Sequence, residues 1–253
     1  MSQQKVRYEE MLPHEAVAAR RKCAVAYLPV GGVEWHGVHN CLGLDTVKAH
    51  ALAMACARKT GGVVFPALFY GEPREHYLME ANSADKRLIA KQMALPPDNF
   101  APGYMQEQGF AANLDYVRQV HRILLEIRSL GFKVIIVMAG HYPLLYHVRA
   151  ACELFNLDHA RYKKPAAWGC CGYELVGGRV EHAGDHAAAW ETSLMLALRP
   201  DLVDLKRLPR KAEAKLVGVG GRDPRKFASA EYGKRGVDAI VAAVAAKVGD
   251  LLA

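Results

Sequence analysis

Residues 113–140 read NLDYVRQVHRILLEIRSLGFKVIIVMAG. Apolar residues recur at helical spacing in the first part, which predicts an amphipathic helix from Asn113 to Leu130. Gly131 ends this helix, since glycine readily adopts the backbone conformation found just after a helix. KVIIVMAG (133–140) is a short, almost purely apolar run rich in β-branched residues, and it predicts a central strand buried on both faces. A helix leading into a buried strand is the repeating unit of an α/β protein.

The same alternation continues along the chain on both sides of this unit. AVAYLPV (24–30) and VVFPALFYG (63–71) predict two more strands, and the proline in the second suggests a sheet edge or a bend. Further helices are predicted over 45–59, 144–155, 187–198 and 236–252. The pattern indicates a three-layer α/β/α sandwich with a mostly parallel central sheet, formed by one domain over residues 1–253.

Two segments are less regular, 80–110 and 164–180. The first is rich in Pro, Asn and Gly, and we expect it to leave the core as a long excursion. Long excursions of this kind often act as lids or subunit contacts.

Composition excludes several classes of protein. The net charge is +7, but the basic residues are spread along the chain without a zinc finger or an RNP-type aromatic stretch, so nucleic acid is not the expected partner. No apolar run approaches the roughly 18 residues that a membrane span needs. The N-terminal residues lack the apolar stretch of a secretory signal, and six scattered cysteines without a CxxC pair are typical of reduced thiols. We therefore expect a cytoplasmic protein.

Polar residues with metal-binding side chains follow the two clearest strands. Glu34 and His36 come just after the first of them, two residues apart, and His141 follows KVIIVMAG directly. Asp45 lies at the predicted start of a helix. Parallel sheets place their functional sites beyond the carboxyl ends of the strands, so these side chains are expected to converge there. Carboxylate and imidazole groups together suit Zn²⁺ or Mn²⁺, although Glu34 in a solvated turn and Asp45 as a helix cap are the structural alternatives.

Four stretches, in order, resemble the creatininase (creatinine amidohydrolase) family. LPVGGVEWHGVHNCLGLDT (28–46) resembles its opening Glu-x-His motif with a following Asp, and FYGEPREH (69–76) resembles its YG-x-S-x-EH segment. VIIVMAGHY (134–142) resembles the strand that ends in Gly-His, and DHAAAWETSLML (185–196) resembles the HAG-x-x-ETS segment. The resemblance spans roughly residues 24 to 200.

This resemblance implies a hydrolase with two divalent metal ions, zinc or manganese and with iron as a further option. Glu34 and His141 would hold one ion and His36 the other, with Asp45 bridging them and Glu191 as a further ligand or a supporting partner. A hydroxide shared by the ions would attack the substrate carbonyl, and His186 would be the catalytic proton shuttle. Substrate contacts are implied at five positions: Tyr142, Glu75, His76, Asp185 and His182. Relatives commonly form hexamers, so a homo-oligomer is expected.

The sequence departs from the family pattern at several of these positions. Pro143 stands where creatininase has a metal-binding glutamate, and Pro73 stands where the family has a serine associated with substrate contact. Ala188 replaces the motif glycine, His182 stands at an expected tryptophan, and the 80–110 stretch is longer than its usual counterpart. An alternative alignment on EHAG (181–184) makes His182 the shuttle instead of His186.

Three functions remain open at this point. The family default is hydrolysis of a small cyclic amide at its C–N bond. The lost creatinine contacts also allow C–C cleavage of a cyclic polyhydroxy diketone derived from inositol, as in 3-dehydro-scyllo-inosose hydrolase. The third is a non-catalytic binding protein, with or without metal.

Overall fold

The computed structural model describes residues 5–104, 109–158 and 167–253. Four strands form one parallel sheet in the order β2-β1-β3-β4: β1 (Val25–Val30), β2 (Val63–Val64), β3 (Val134–Ala139) and β4 (Ala167–Cys171). Six longer helices accompany them: α1 (Pro13–Lys22), α2 (Leu44–Thr60), α6 (Gly109–Ser129), α7 (Leu144–Asp158), α9 (Ala189–Leu198) and α11 (Ala230–Leu252). Five short α-helices complete the described set of α-helices: α3 (Arg74–Tyr77), α4 (Met79–Asn82), α5 (Lys86–Gln92), α8 (Gly172–Leu175) and α10 (Pro224–Phe227).

The sheet is covered on both faces, which confirms the predicted α/β sandwich. Every residue of β1 and β3 is buried, as expected for parallel strands between two helical layers. Successive residues of β1 point to opposite sides, so Leu28 packs with α6 and α7, whereas Tyr27 packs with α2, α9 and α11. β1 and β3 pair in parallel along their whole length, with Val25 opposite Val134. Their carboxyl ends therefore lie side by side at one edge.

The structure corrects two of the strand predictions. The predicted strand 63–71 forms a regular strand only at Val63–Val64, because Pro66 has no backbone N–H to donate, and it meets β1 again at a single bridge between Leu68 and Val30; β2 is an edge strand. β4 lies inside the segment interpreted as irregular, of which residues 164–166 fall outside the described part. Its sequence, AWGCC, contains a glycine and no β-branched residue, so it lacks the usual strand signal.

The last helix begins six residues earlier than predicted, at Ala230, with the Ser229 side chain accepting a hydrogen bond from the N–H of Tyr232. Gly233 and Gly236 both lie in the first two turns of α11. In the structure they let α11 approach α9 closely, since a Cβ atom on Gly233 would lie 1.8 Å from the carbonyl oxygen of Ser193.

The segment 80–110 is less irregular than expected, because it contains α5 and all of α4 except Met79; residues 105–108 fall outside the described part. Within the described ranges, no helix combines the length and the apolar character needed to cross a bilayer.

Candidate metal centre

The carboxyl ends of β1 and β3 bring together the residues that the sequence singled out. Glu34 and His36 follow β1, and His141 follows β3 after Gly140. A Cβ atom on Gly140 would lie 1.9 Å from the carbonyl oxygen of Asp45, so only glycine lets the end of β3 reach the first turn of α2. The side chains of Glu34, His36, Asp45 and His141 are all buried.

One half of the cluster is formed by Glu34, Asp45 and His141. His141 Nδ1 lies 2.9 Å from Glu34 Oε2 and 3.1 Å from Asp45 Oδ2. One ligand atom from each residue lies within 4.8 Å of the others, a spacing that suits a single cation.

The other half is formed by His36, Asp45 and Glu191. His36 Nε2 lies 3.3 Å from Asp45 Oδ1 and 3.7 Å from Glu191 Oε2, and these three residues also meet the 4.8 Å spacing. Asp45 thus presents one carboxylate oxygen to each half. Glu191, on α9, belongs to the cluster itself.

The pKa of His36 shows whether the second half of the cluster favours positive charge. Its Nδ1 donates a hydrogen bond to the carbonyl oxygen of Glu34 at 3.1 Å, which directs Nε2 toward the carboxylates. Nε2 is buried and makes no hydrogen bond to the described residues. Burial alone lowers the pKa of His36, but the carboxylates, that of Asp45 first, raise this pKa to about 9. The surroundings of Nε2 therefore stabilise positive charge, and the donor set fits Zn²⁺ or Mn²⁺.

Glu72 was not predicted, although it lies in the quoted stretch FYGEPREH. Its side chain is buried; Oε2 lies 3.0 Å from His141 Nε2, and Oε1 lies 3.2 Å from His147 Nδ1. A carboxylate on the far nitrogen of a ligand histidine fixes the orientation of the ring and raises its basicity. Its position directly after a predicted strand was the available signal, but the resemblance drew attention to Glu75 and His76.

Lys48 is the second residue that sequence reasoning missed. It is 3% exposed, and its Nζ contacts Glu191 Oε1 and lies 3.5 Å from Asp45 Oδ1. Burial lowers its pKa, but the two carboxylates outweigh that effect and raise the pKa above the ordinary lysine value, so the group is charged. The spacing of three residues from Asp45 on a helix placed both on one face.

The two candidate shuttle histidines lie in different places. The His186 ring stacks on His36 with centroids 4.4 Å apart, and its Nε2 donates to the carbonyl oxygen of Trp35 at 2.9 Å. Burial first, and then the neighbouring His36, lower the pKa of His186. His182 is exposed, has a positive φ of 58°, and lines a separate surface cavity.

A family model described as creatinine amidohydrolase (creatininase) matches residues 9–84 and 112–248. The chain belongs to the creatininase family. Creatinine amidohydrolase from Pseudomonas putida is 30% identical over 213 residues, which cover 77% of this chain and 72% of that protein. As a member of this family, the protein is a hydrolase.

Solved structures show the same fold. A crystal structure of creatinine amidohydrolase (creatininase) matches with a TM-score of 0.71 and 24% identity, covering 98% of both chains. A mutant creatininase of the Zn–Zn type matches with a TM-score of 0.68 and 22% identity, also covering 98% of both chains. The three-layer architecture is therefore the creatininase fold.

The predicted substrate contacts of this creatininase-family chain are dispersed. The Tyr142 hydroxyl is buried without a hydrogen bond to the described residues, and its ring lies 4.9 Å from Lys48 Nζ. Asp185 accepts hydrogen bonds from the N–H groups of Trp190, at 2.7 Å, and Glu191, at 3.1 Å, so its carboxylate caps the start of α9. Its availability to a substrate is correspondingly reduced.

Glu75 and His76 lie on α3, and neither belongs to the two halves of the cluster. A cavity of about 320 Å³ adjoins His141, and its wall includes Glu72, Pro73 and Arg74 rather than these two residues. The substrate role of Glu75 and His76 stays a prediction.

Proposed function

We propose that this protein is a divalent-metal-dependent hydrolase that opens a small cyclic amide. The observation that carries the proposal is the position of Asp45, whose two carboxylate oxygens face two separate groups of buried donors. Glu34, Asp45 and His141 would hold one ion, and His36, Asp45 and Glu191 would hold the other. Zinc and manganese are the ions that suit this mixture of carboxylate and imidazole.

Two such ions supply Lewis acidity that polarises a carbonyl group and lowers the pKa of water. The chain's own residues orient the groups that would bind these ions. The backbone carbonyl oxygen of Glu34 fixes the ring of His36, and the carboxylate of Glu72 fixes that of His141. Burial of all the donors excludes bulk solvent, which strengthens their interaction with a cation.

His186 is proposed to move the proton that the leaving nitrogen requires. Its ring stacks on a proposed ligand, and its depressed pKa keeps the imidazole neutral at neutral pH and able to accept a proton. With Nε2 donating to the Trp35 carbonyl oxygen, Nδ1 carries the free lone pair. His186 is therefore assigned to proton transfer, and His182, exposed in another cavity, is not.

Glu191 is proposed to replace the carboxylate lost at Pro143. It lies 3.7 Å from His36 Nε2, and its Oε2 also accepts a hydrogen bond from the N–H of Ala187 at 2.8 Å. The backbone thus fixes Glu191 at the start of α9 independently of the residue at 143.

A second candidate reaction, C–C cleavage of a cyclic polyhydroxy diketone, uses the same residues. Pro73 favours this second reaction over creatinine hydrolysis. The residue lines the cavity beside His141, and a proline has no hydroxyl group with which to contact creatinine. Both reactions begin with attack on a ring carbonyl and differ in the atom that leaves.

The test is metal analysis followed by substrate screening. Protein loaded with zinc or manganese is expected to hold two ions per chain and to open cyclic amides other than creatinine. Turnover of cyclic diketones alone would replace the first reaction by the second. A loaded protein that binds no more than adventitious metal, and that opens neither class of ring, would contradict the proposal.

A further inference from the structure

A second cavity, of about 520 Å³, lies between the 179–182 turn and the start of α11. Its wall includes five residues that are positively charged or can become so: Arg179, His182, Arg222, Lys226 and Arg235. None of the proposed metal ligands lines it, and it is therefore a separate site.

The positive side chains of this cavity outnumber the carboxylates in its wall. Within the described ranges, Arg179, Arg222, Lys226 and Arg235 form no ion pair with a carboxylate. Arg225 provides the contrast, since it pairs with Asp223 at 2.7 Å, donates to backbone carbonyl oxygens of the 209–212 segment, and does not line the cavity. Glu181 contributes one carboxylate to the wall, so the four Arg and Lys side chains less this one carboxylate leave a charge of +3, with His182 not counted.

All three arginines of the wall contact an aromatic ring or a backbone group. The Arg222 guanidinium lies 3.9 Å from the ring centroid of Phe227, and that of Arg235 lies 5.7 Å from the ring centroid of Tyr232. Arg179 Nη2 donates to the carbonyl oxygen of Leu175 at 3.0 Å. A guanidinium already held in place loses less conformational entropy when it binds a ligand.

We propose that this cavity binds a small phosphorylated molecule carrying at least two negative charges. Planar guanidinium groups bind phosphate through paired hydrogen bonds, and several of them around one concave surface favour a multivalent anion over a single carboxylate. The volume lies in the range of pockets that hold metabolite-sized ligands. The exposed ring of Phe227 offers an apolar contact for the organic part of the molecule.

The experiment is calorimetric titration of the full chain with inorganic pyrophosphate at low and moderate salt. We expect saturable binding to one site per chain, weakening as salt increases. The double variant Arg222→Gln/Arg235→Gln should weaken binding tenfold or more. The matched control is Arg118→Gln/Arg122→Gln on α6, which removes the same charge from another face and should bind as the parent does.

Each other outcome overturns the proposal. Absence of saturable binding to the parent would do so, as would equal weakening in the control, which indicates general surface charge. Binding retained in Arg222→Gln/Arg235→Gln would place pyrophosphate elsewhere, including the metal centre. If citrate binds as tightly as pyrophosphate, the site is not selective for phosphate. If the double variant does not fold, the single variant Lys226→Gln, at an exposed position, is compared with the parent in its place.

Discussion

The two halves of the candidate metal centre share Asp45 but differ in the residues that surround them. In the first half, a buried carboxylate, Glu72, lies against the far nitrogen of His141. In the second half, the ammonium group of Lys48 contacts Glu191 and lies near Asp45. A supporting carboxylate strengthens an imidazole ligand, whereas a lysine ammonium occupies carboxylate oxygens and repels a cation. We therefore expect the first half to bind metal more tightly than the second.

The largest expected effect comes from Asp45→Ala, because this carboxylate serves both halves. The variant should lose both ions, whereas Glu34→Ala should empty mainly the first half. Elemental analysis of the purified variants measures this difference. Full metal content in Asp45→Ala would show that Asp45 does not bridge two ions.

His186→Ala should keep its metals and its fold but lose about 10²–10⁴-fold in kcat, the usual contribution of a general acid–base group. Steady-state kinetics on the substrate found by screening, together with metal analysis, test this. His182→Ala is the control. If His182→Ala is the inactive variant, proton transfer has been assigned to the wrong histidine.

Glu72→Gln should weaken metal binding to the first half by about 10–100-fold, the typical effect of removing a carboxylate behind a ligand histidine. The second half should be unaffected, because Glu72 does not contact its residues. Zinc titration against a competing chelator resolves the two affinities. If metal binding weakens equally in both halves, or does not weaken in either half, Glu72 does not act through His141 alone.

Lys48→Met should have the smallest effect and the opposite sign, tightening the second half by about tenfold or less, since one repulsive charge near the cation is removed. Lys59→Met, an exposed position on the same helix, is the control and should leave both affinities unchanged. A loss of metal in Lys48→Met would mean instead that the ammonium group is needed to hold Glu191 in place.

The residues of the two halves also differ in how far the sequence could predict them. Glu34, His36, Asp45 and His141 follow strands or begin a helix, and the parallel-sheet rule brings such positions together without further information. The helices predicted over 45–59 and 144–155 match α2 and α7 closely, since their apolar spacing is regular. Glu72 also follows a predicted strand, and Lys48 shares a helix face with Asp45, but these positions alone do not tell which side chains Glu72 and Lys48 contact. Their roles depend on how a loop returns to the sheet edge and on which face of α2 meets α9, both of which are properties of the packed molecule.

The extents of other elements depended on tertiary packing. β4 carries little strand signal of its own but pairs along β3 from Ile135 to Ala139. The start of α11 contains two glycines that are unfavourable in a helix by propensity, and the close contact with α9 accounts for them.

The central claim is that Asp45 joins two metal sites. Crystals of the zinc-loaded protein, with anomalous scattering measured at the zinc edge, test it most directly. We predict two peaks, one bound by Glu34, Asp45 and His141 and the other by His36, Asp45 and Glu191, with ligand atoms about 2.0–2.2 Å from the metal. A map without a peak at Asp45, or with His141 far from the metal that Glu34 binds, would contradict it.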